Sequence, residues 1–305
     1  MAAEWTFVAV IPGVSMKESF EAGRTAIVPV SDERCRAGRL VEEPRIKRYL
    51  SRFRDVGTEP VESALMIRQA GAPRMRGGDM TFLRNAFAVS AILLARARRC
   101  RRQVTEGPNF SDAFDFPAVW LRDGPGVLVE TAAALGTGAG MFDEGFCGHP
   151  SPTYPFGNIE VREWDMPLAQ ALLSVWHAAR RGPHAGFRRR VGRILEVTYT
   201  ALRAPAYNLR SGNDWGISLA LLVSAFETIT NATGEVHFGD VQRAIEAVAW
   251  PKELRRRLAP YEYRSPSRRT KALLRMTRPV QVYARLYRAR NMVLHGEEYD
   301  SCRRG

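Results

Sequence analysis

The rhythm of apolar and polar residues changes near residue 165. Before that point apolar residues come in short runs, rich in β-branched side chains and bounded by proline and glycine. TFVAVIP (6–12), TAIVPV (25–30) and GVLVETAAAL (126–135) have this form and predict strands. Segments 59–70 and 80–103 carry longer mixed runs that suit helices, although Phe87–Leu94 is apolar enough to suit a buried strand as well. GFCGHPSPTYPFGN (145–158) is dense in Gly, Pro and Ser and reads as a loop or an interdomain connection.

Beyond Asp165 the period becomes helical. DMPLAQALLSVWHAARR opens with Asp165 as a candidate N-cap and Pro167 in the first turn, and Leu168, Leu172, Val175, Trp176 and Ala179 fall at helical spacing. FRRRVGRILEVTYTALRAP predicts a second helix, stopped by Pro205, and WGISLALLVSAFETIT (215–230) a third. Shorter helices are expected over 239–248, 251–258 and 267–276. The last runs from Pro279 to His295, with Thr277 or Arg278 near its cap and Gly296 suited to the position just past its end. Short connections between helices of this length imply an antiparallel bundle. The fold expected is α+β: a mixed, strand-containing N-terminal domain over 1–160, of unknown role, then an all-α helical bundle over 165–305.

Charge sharpens this division. The chain carries a net +13, and residues 166–305 hold 24 Lys and Arg against 11 Asp and Glu, whereas residues 1–165 hold 21 of each. The whole excess sits in the helical half. A positive field of this size favours a polyanionic partner, nucleic acid before others. The N-terminus lacks the basic region of a signal peptide. The longest apolar run, from Ala86, meets Arg96 after about ten residues, too few to cross a bilayer. No membrane association is therefore expected. The four cysteines (Cys35, Cys100, Cys147, Cys302) have no paired spacing and fit a reducing cytoplasm. Cys147 and His149 form a two-ligand fragment with no partner pair nearby, so neither a metal nor another cofactor is expected. GTGAG (136–140) lacks the third glycine of a dinucleotide fingerprint.

Two features of the helical half carry chemistry. Between Asp214 and Glu235 the only charged residue is Glu227, among Ile217, Leu219, Leu221, Leu222, Ala225, Phe226 and Ile229. A helix apolar around its whole circumference is buried on most sides. A carboxylate there demands a cation or hydrogen-bond donors. The last helix offers Arg285, Arg288, Arg290, Asn291 and His295. Glu227 either forms a buried ion pair and nothing more, or orients a catalytic arginine or histidine. The second feature is the Arg290–His295 pair itself. Five residues correspond to about 140° of helical rotation, so the two do not share a face unless the arginine swings round, the helix breaks, or a second protomer completes the site.

Tyr287, Arg290, Asn291, His295 and Gly296 together resemble the signature of HEPN domains, and most closely the R-N-x-x-x-H-G form of the ApeA-like branch. SLALLVSAFETI, with Glu227 near its end, is similar to the apolar helix ending in an acidic residue that precedes the motif in that family. The resemblance covers about 166–305. It implies an all-α bundle and metal-independent RNA endonuclease activity, in a toxin or antiphage-defence setting, with two protomers pairing so that both Arg–His motifs line one cleft. His295 would then act as general acid or base on the ribose 2′-OH or the leaving 5′-oxygen, and Arg290 would stabilise the phosphate. Asn291 and Glu227 would position them, and the product would be a 2′,3′-cyclic phosphate.

The same half holds a candidate RNA track. Residues 251–290 contain 13 basic residues against Glu253 and Glu262. Arg255, Arg256, Arg257, Arg268, Arg269, Lys271, Arg285 and Arg288 are the candidate phosphate contacts, with Tyr261 and Tyr263 available to stack on bases. The cluster Phe187-Arg188-Arg189-Arg190 is a weaker sign of the same kind. The alternative to a nuclease is a non-catalytic HEPN-like module that binds RNA or a protein.

Overall fold

The computed structural model describes residues 4–51, 53–55, 59–73, 75–102, 110, 114, 117–121, 127–131, 153–154, 159–181, 185–203, 212–230, 236–256, 261–264, 271–274 and 276–295. The chain divides into two compact units, Met1–Val175 and Trp176–Gly305. The first contains β1 (Trp5–Pro12), β2 (Val14–Met16), β3 (Phe20–Ala22), β4 (Thr25–Pro29), α1 (Glu33–Ala37), α2 (Pro44–Leu50), β5 (Arg54–Asp55), β6 (Ser63–Gln69), α3 (Gly77–Arg102), β7 (Pro117–Leu121), β8 (Val127–Thr131), β9 (Thr153–Tyr154) and β10 (Ile159–Val161). Helix α4 (Met166–Arg181) runs across the division. The second unit continues with α5 (Ala185–Arg203), α6 (Gly212–Thr230), α7 (Phe238–Ala247), α8 (Lys252–Arg255), β11 (Tyr261–Arg264), β12 (Lys271–Leu274) and α9 (Arg278–Leu294). The chain is thus mixed α+β, with its sheet in the N-terminal unit and mainly helices after it.

A four-stranded antiparallel sheet, in the order β1-β6-β4-β3, organises the first unit. Central strand β6 sets Leu65 opposite Val10 and Val28, and Ile67 opposite Phe7 and Ala26. These six side chains form one face and pack with Cys35 of α1, Ile46 of α2, Phe53 and Val61. A bulge between Phe7 and Ala9 lets Phe7 and Val10 share that face although they are three residues apart. Ala9, Ile11, Ile27, Ala64 and Met66 are equally buried. Both sides of β6 are therefore covered, and its apolar run is continuous rather than alternating. This is why helical periodicity suggested a helix over 59–70 where a strand stands. The stretch 80–102 is helical as expected, within α3, and the strand alternative for Phe87–Leu94 does not occur.

Helix α3 carries Phe87 to 5.2 Å from the ring of Phe20 and 5.7 Å from that of Trp164. It begins at Gly77, well before the run from Ala86, and is long and apolar enough to cross a membrane by length and composition. Most of its apolar stretch is buried inside this unit, with Met80, Phe82, Leu83 and Ala86–Val89 all enclosed. Burial as a core helix accounts for that hydropathy.

Helix α1 starts on a small polar knot. The carboxylate of Asp32 accepts from the Arg34 backbone N–H (2.9 Å), from Arg34 Nε (2.9 Å) and from Ser19 Oγ (2.6 Å). Arg34 also pairs with Glu21 at 2.9 Å and lies over the Trp5 ring. The hydrogen-bonded Arg34 guanidinium holds the Asp32 carboxyl down to about 2, with the Ser19 and backbone donors adding to it against the opposing cost of burial. Arg34 is raised in return.

In the second unit α6 packs against α5 and α9, and α7 against α9. Its core joins Val223, Val241, Ile245, Met276, Val280, Tyr283 and Ala284. Three expectations are corrected. Within the predicted helix over 267–276, Lys271–Leu274 instead forms strand β12, antiparallel to β11, with Tyr261 opposite Leu274 and Tyr263 opposite Ala272. Its partner β11 has the alternation of a strand in Tyr-Glu-Tyr-Arg, and pairing with it draws Lys271–Leu274 into the ladder. This half is therefore not all-α. Helix α8 is a single turn rather than the span 251–258. Helix α6 buries Val223 and Ala225 but leaves Ile217 and Ile229 more than half exposed, so it is not enclosed all round. The loop 136–140 and the Cys147–His149 fragment lie outside the described residues.

Candidate active site on the last helix

The rotation of α9 is set by its aromatic residues. Tyr283 is enclosed, with its ring 5.3 Å from Phe226 and stacked at 5.5 Å on Phe238, and Tyr287 meets Phe238 edge-on at 5.5 Å. With Val280, Tyr283, Ala284 and Ala289 turned inward, Val282, Arg285 and Arg288 are exposed. Thr277 stands at the N-cap and proline follows in the first turn, as the sequence predicts.

Arg290 is the donor that reaches Glu227. Its Nη2 donates to the two carboxylate oxygens at 3.1 and 3.4 Å, and its Nη1 donates to Asn291 Oδ1 at 3.0 Å. Its Cζ lies 5.2 Å from the centre of the Tyr287 ring. The side chain thus runs back toward the start of α9, as long helical side chains do. The ion pair is half-buried, with the Arg290 side chain 20% and the Glu227 side chain 25% exposed. Burial to this degree excludes much water without isolating the charges.

His295 stands at the other end of the feature. Its N–H bonds to the Asn291 carbonyl at 3.0 Å, which keeps its Cα on the helical path although the regular helix stops at Leu294. The imidazole is exposed. Arg288 lies seven residues earlier, about 20° away around the helix axis, and is exposed too. Within one chain, then, His295 shares a side of α9 with Arg288, while Arg290 is turned about 140° away and drawn toward Glu227. Glu227, Arg290 and Asn291 come together; His295 does not join them.

Two residues that sequence reasoning passed over complete the arrangement. Gly216, on α6, allows a close approach: a Cβ there would lie 2.2 Å from Cγ1 of Val293. Glu227 is three turns further along α6 at almost the same helical angle, so the stripe that begins at Gly216 also presents the carboxylate to α9. A glycine beside an otherwise apolar helical run is the signal that could have found it. Tyr287, read only as part of the apolar stripe and the motif, supplies the ring on which the guanidinium lies.

The proposed RNA track is partly placed. Arg255 and Arg256, at the end of α8, are exposed, as are Arg285 and Arg288. Lys271 opens β12 opposite Arg264. Arg257, Arg268 and Arg269 lie outside the described residues. Among the described residues no three His, Cys, Asp or Glu side chains gather. No protein-family model matches this chain, and no curated protein and no solved structure matches it either.

Proposed function

We propose that this protein is a metal-independent RNA endonuclease of HEPN type, a toxin or antiphage-defence effector working in the cytoplasm as a homodimer. The observation that carries this reading is the motif in place on α9. Arg290 is held by Glu227 and Asn291, and about one and a half turns further on stands an exposed His295, on the side of α9 that also carries the exposed Arg288.

In this reading His295 removes the proton from the ribose 2′-OH, or delivers one to the departing 5′-oxygen. The 2′-oxygen attacks the adjacent phosphorus, the P–O5′ bond breaks, and a 2′,3′-cyclic phosphate and a 5′-hydroxyl result. Arg290 neutralises charge that develops on the phosphate. Asn291 and Glu227 hold that guanidinium still, and Arg285 and Arg288 hold neighbouring phosphates. DNA has no 2′-OH and is not a substrate. Because Arg290 and His295 of one protomer face different sides of α9, the cleft is assembled from the motifs of two protomers.

The commitment of Arg290 to Glu227 also favours a second reading, a non-catalytic HEPN-like module that binds RNA with its basic surface and keeps the arginine for structure. Incubation of the purified chain with single-stranded RNA in EDTA separates the two. Cleavage to cyclic-phosphate ends that is lost in His295→Ala is the expected result. Binding without cleavage, unaltered in that variant, would leave the module.

A further inference from the structure

We propose that the arginine-rich face at the end of α4 and the start of α5 docks the phosphate backbone of a single RNA strand, away from the residues of α9. Residues 166–203 hold seven arginines and one carboxylate, Glu196. A Cβ on Gly192 of α5 would lie 3.8 Å from the ring of Trp176, so the two helices touch there. Only three residues separate the end of α4 from the start of α5. Arg181, the last residue of α4, therefore lies within a few residues of the first turn of α5.

Arg181, Arg189 and Arg193 are exposed. Arg189 and Arg193 lie one turn apart on one face, about 6 Å along the axis. Arg181 donates its Nε to the His177 carbonyl at 3.3 Å. None of the three has an ion pair among the described residues, and Glu196, three residues after Arg193, makes none with it. A cluster of like charges with no ion pair among the described residues is costly in isolation and is relieved by a polyanion. Guanidinium forks match phosphate oxygens two at a time. Phe187 stands 43% exposed at the start of α5 and offers a ring for a base to stack on.

A basic helix can also lie on an anionic membrane, but it then needs a free apolar face to enter the interface. The apolar side of α5 is already used: Leu195, Tyr199 and Leu202 are buried, and α5 packs on α6. What remains open is charge, which suits a strand of phosphates. That the strand is RNA rests on the proposed function; the phosphate contacts do not depend on catalysis.

The test uses the full-length chain carrying His295→Ala, so that RNA stays intact, and fluorescence anisotropy of a fluorescein-labelled single-stranded RNA across a salt series. R189Q/R193Q is compared with R101Q/R102Q, which removes the same charge from exposed positions of α3. The expected result is a Kd raised at least tenfold in R189Q/R193Q, with the slope of log K against log salt reduced by about 1.4 for two lost phosphate contacts. R101Q/R102Q changes Kd less than twofold. An unchanged Kd and slope in R189Q/R193Q, or an equal loss in R101Q/R102Q, overturns the proposal. So does arginine-dependent binding to phosphatidylserine vesicles with RNA affinity unaffected. Wild-type protein that cleaves nothing, yet binds RNA through Arg189 and Arg193, sinks the nuclease reading and leaves this surface standing. Cleavage with unaltered binding does the reverse.

Discussion

Asp32 and Glu227 are each held by an arginine, and the two pairs lead to different expectations. The Asp32 carboxyl is lowered from 3.8 to about 2 by Arg34, Ser19 and the backbone. A lowered carboxyl stabilises the fold at every pH above its ordinary value, and that contribution disappears as pH falls through 3.8 toward 2. After allowance for solvent screening it amounts to about 1–2 kcal/mol. Thermal melts between pH 4 and pH 2 are expected to show a steeper loss in wild type than in Asp32→Asn, which starts lower at neutral pH. Glu227 and Arg290 are best tested against each other. A double-mutant cycle with Glu227→Gln and Arg290→Gln is expected to give a coupling of about 1 kcal/mol, between the range of exposed and enclosed pairs. A coupling indistinguishable from zero would mean that the carboxylate does not hold the guanidinium. That Glu227 needs a partner on the last helix was legible from its apolar neighbours. Which of five candidates it would be was not, because the answer depends on how Tyr283 seats between Phe226 and Phe238.

At the level of helices and strands, the contact that positions the motif is the one between Gly216 and Val293. Gly216→Ala places a methyl group where Val293 already is, and an overpacked contact of this kind costs about 1–3 kcal/mol. Chemical denaturation is expected to show that loss, and Val293→Ala in the same chain should recover most of it. If the second substitution only adds to the damage, the helices do not meet there. Long amphipathic or capped elements were readable: α4 opens where Asp165 predicts, with its carboxylate accepting from the Leu168 N–H at 3.0 Å, and α9, over Arg278–Leu294, lies within one residue of its predicted bounds. The misreadings have separate physical causes. Strand β6 is covered on both faces, so its side chains carry no alternation to reveal it. Strands β11 and β12 are only four residues each, and the neighbouring arginines and leucines are good helix formers. Helix α6 ends in exposed isoleucines, which composition alone assigned to the interior.

Over the whole molecule, the uneven division of charge was the most informative property of the chain, and it is independent of any motif. It predicts that RNA affinity resides in the second half and weakens with salt. The proposed composite cleft requires self-association, so under that proposal light scattering on the intact chain is expected to give about twice its 34.2 kDa mass; a strict monomer removes that arrangement. The separation of Arg290 and His295 onto different sides of α9 was legible from their five-residue spacing, whereas the turn of Arg290 toward Glu227 emerges only from the folded chain. The Glu227–Arg290 pairing then has a kinetic corollary. A guanidinium that brings its own counter-ion is nearly neutral when viewed from a distance, so it exerts little pull on an approaching strand. Attraction across solvent must come from the uncompensated arginines elsewhere on the surface. In the proposed nuclease, added salt should accordingly slow capture of RNA, while the turnover of RNA already bound stays the same.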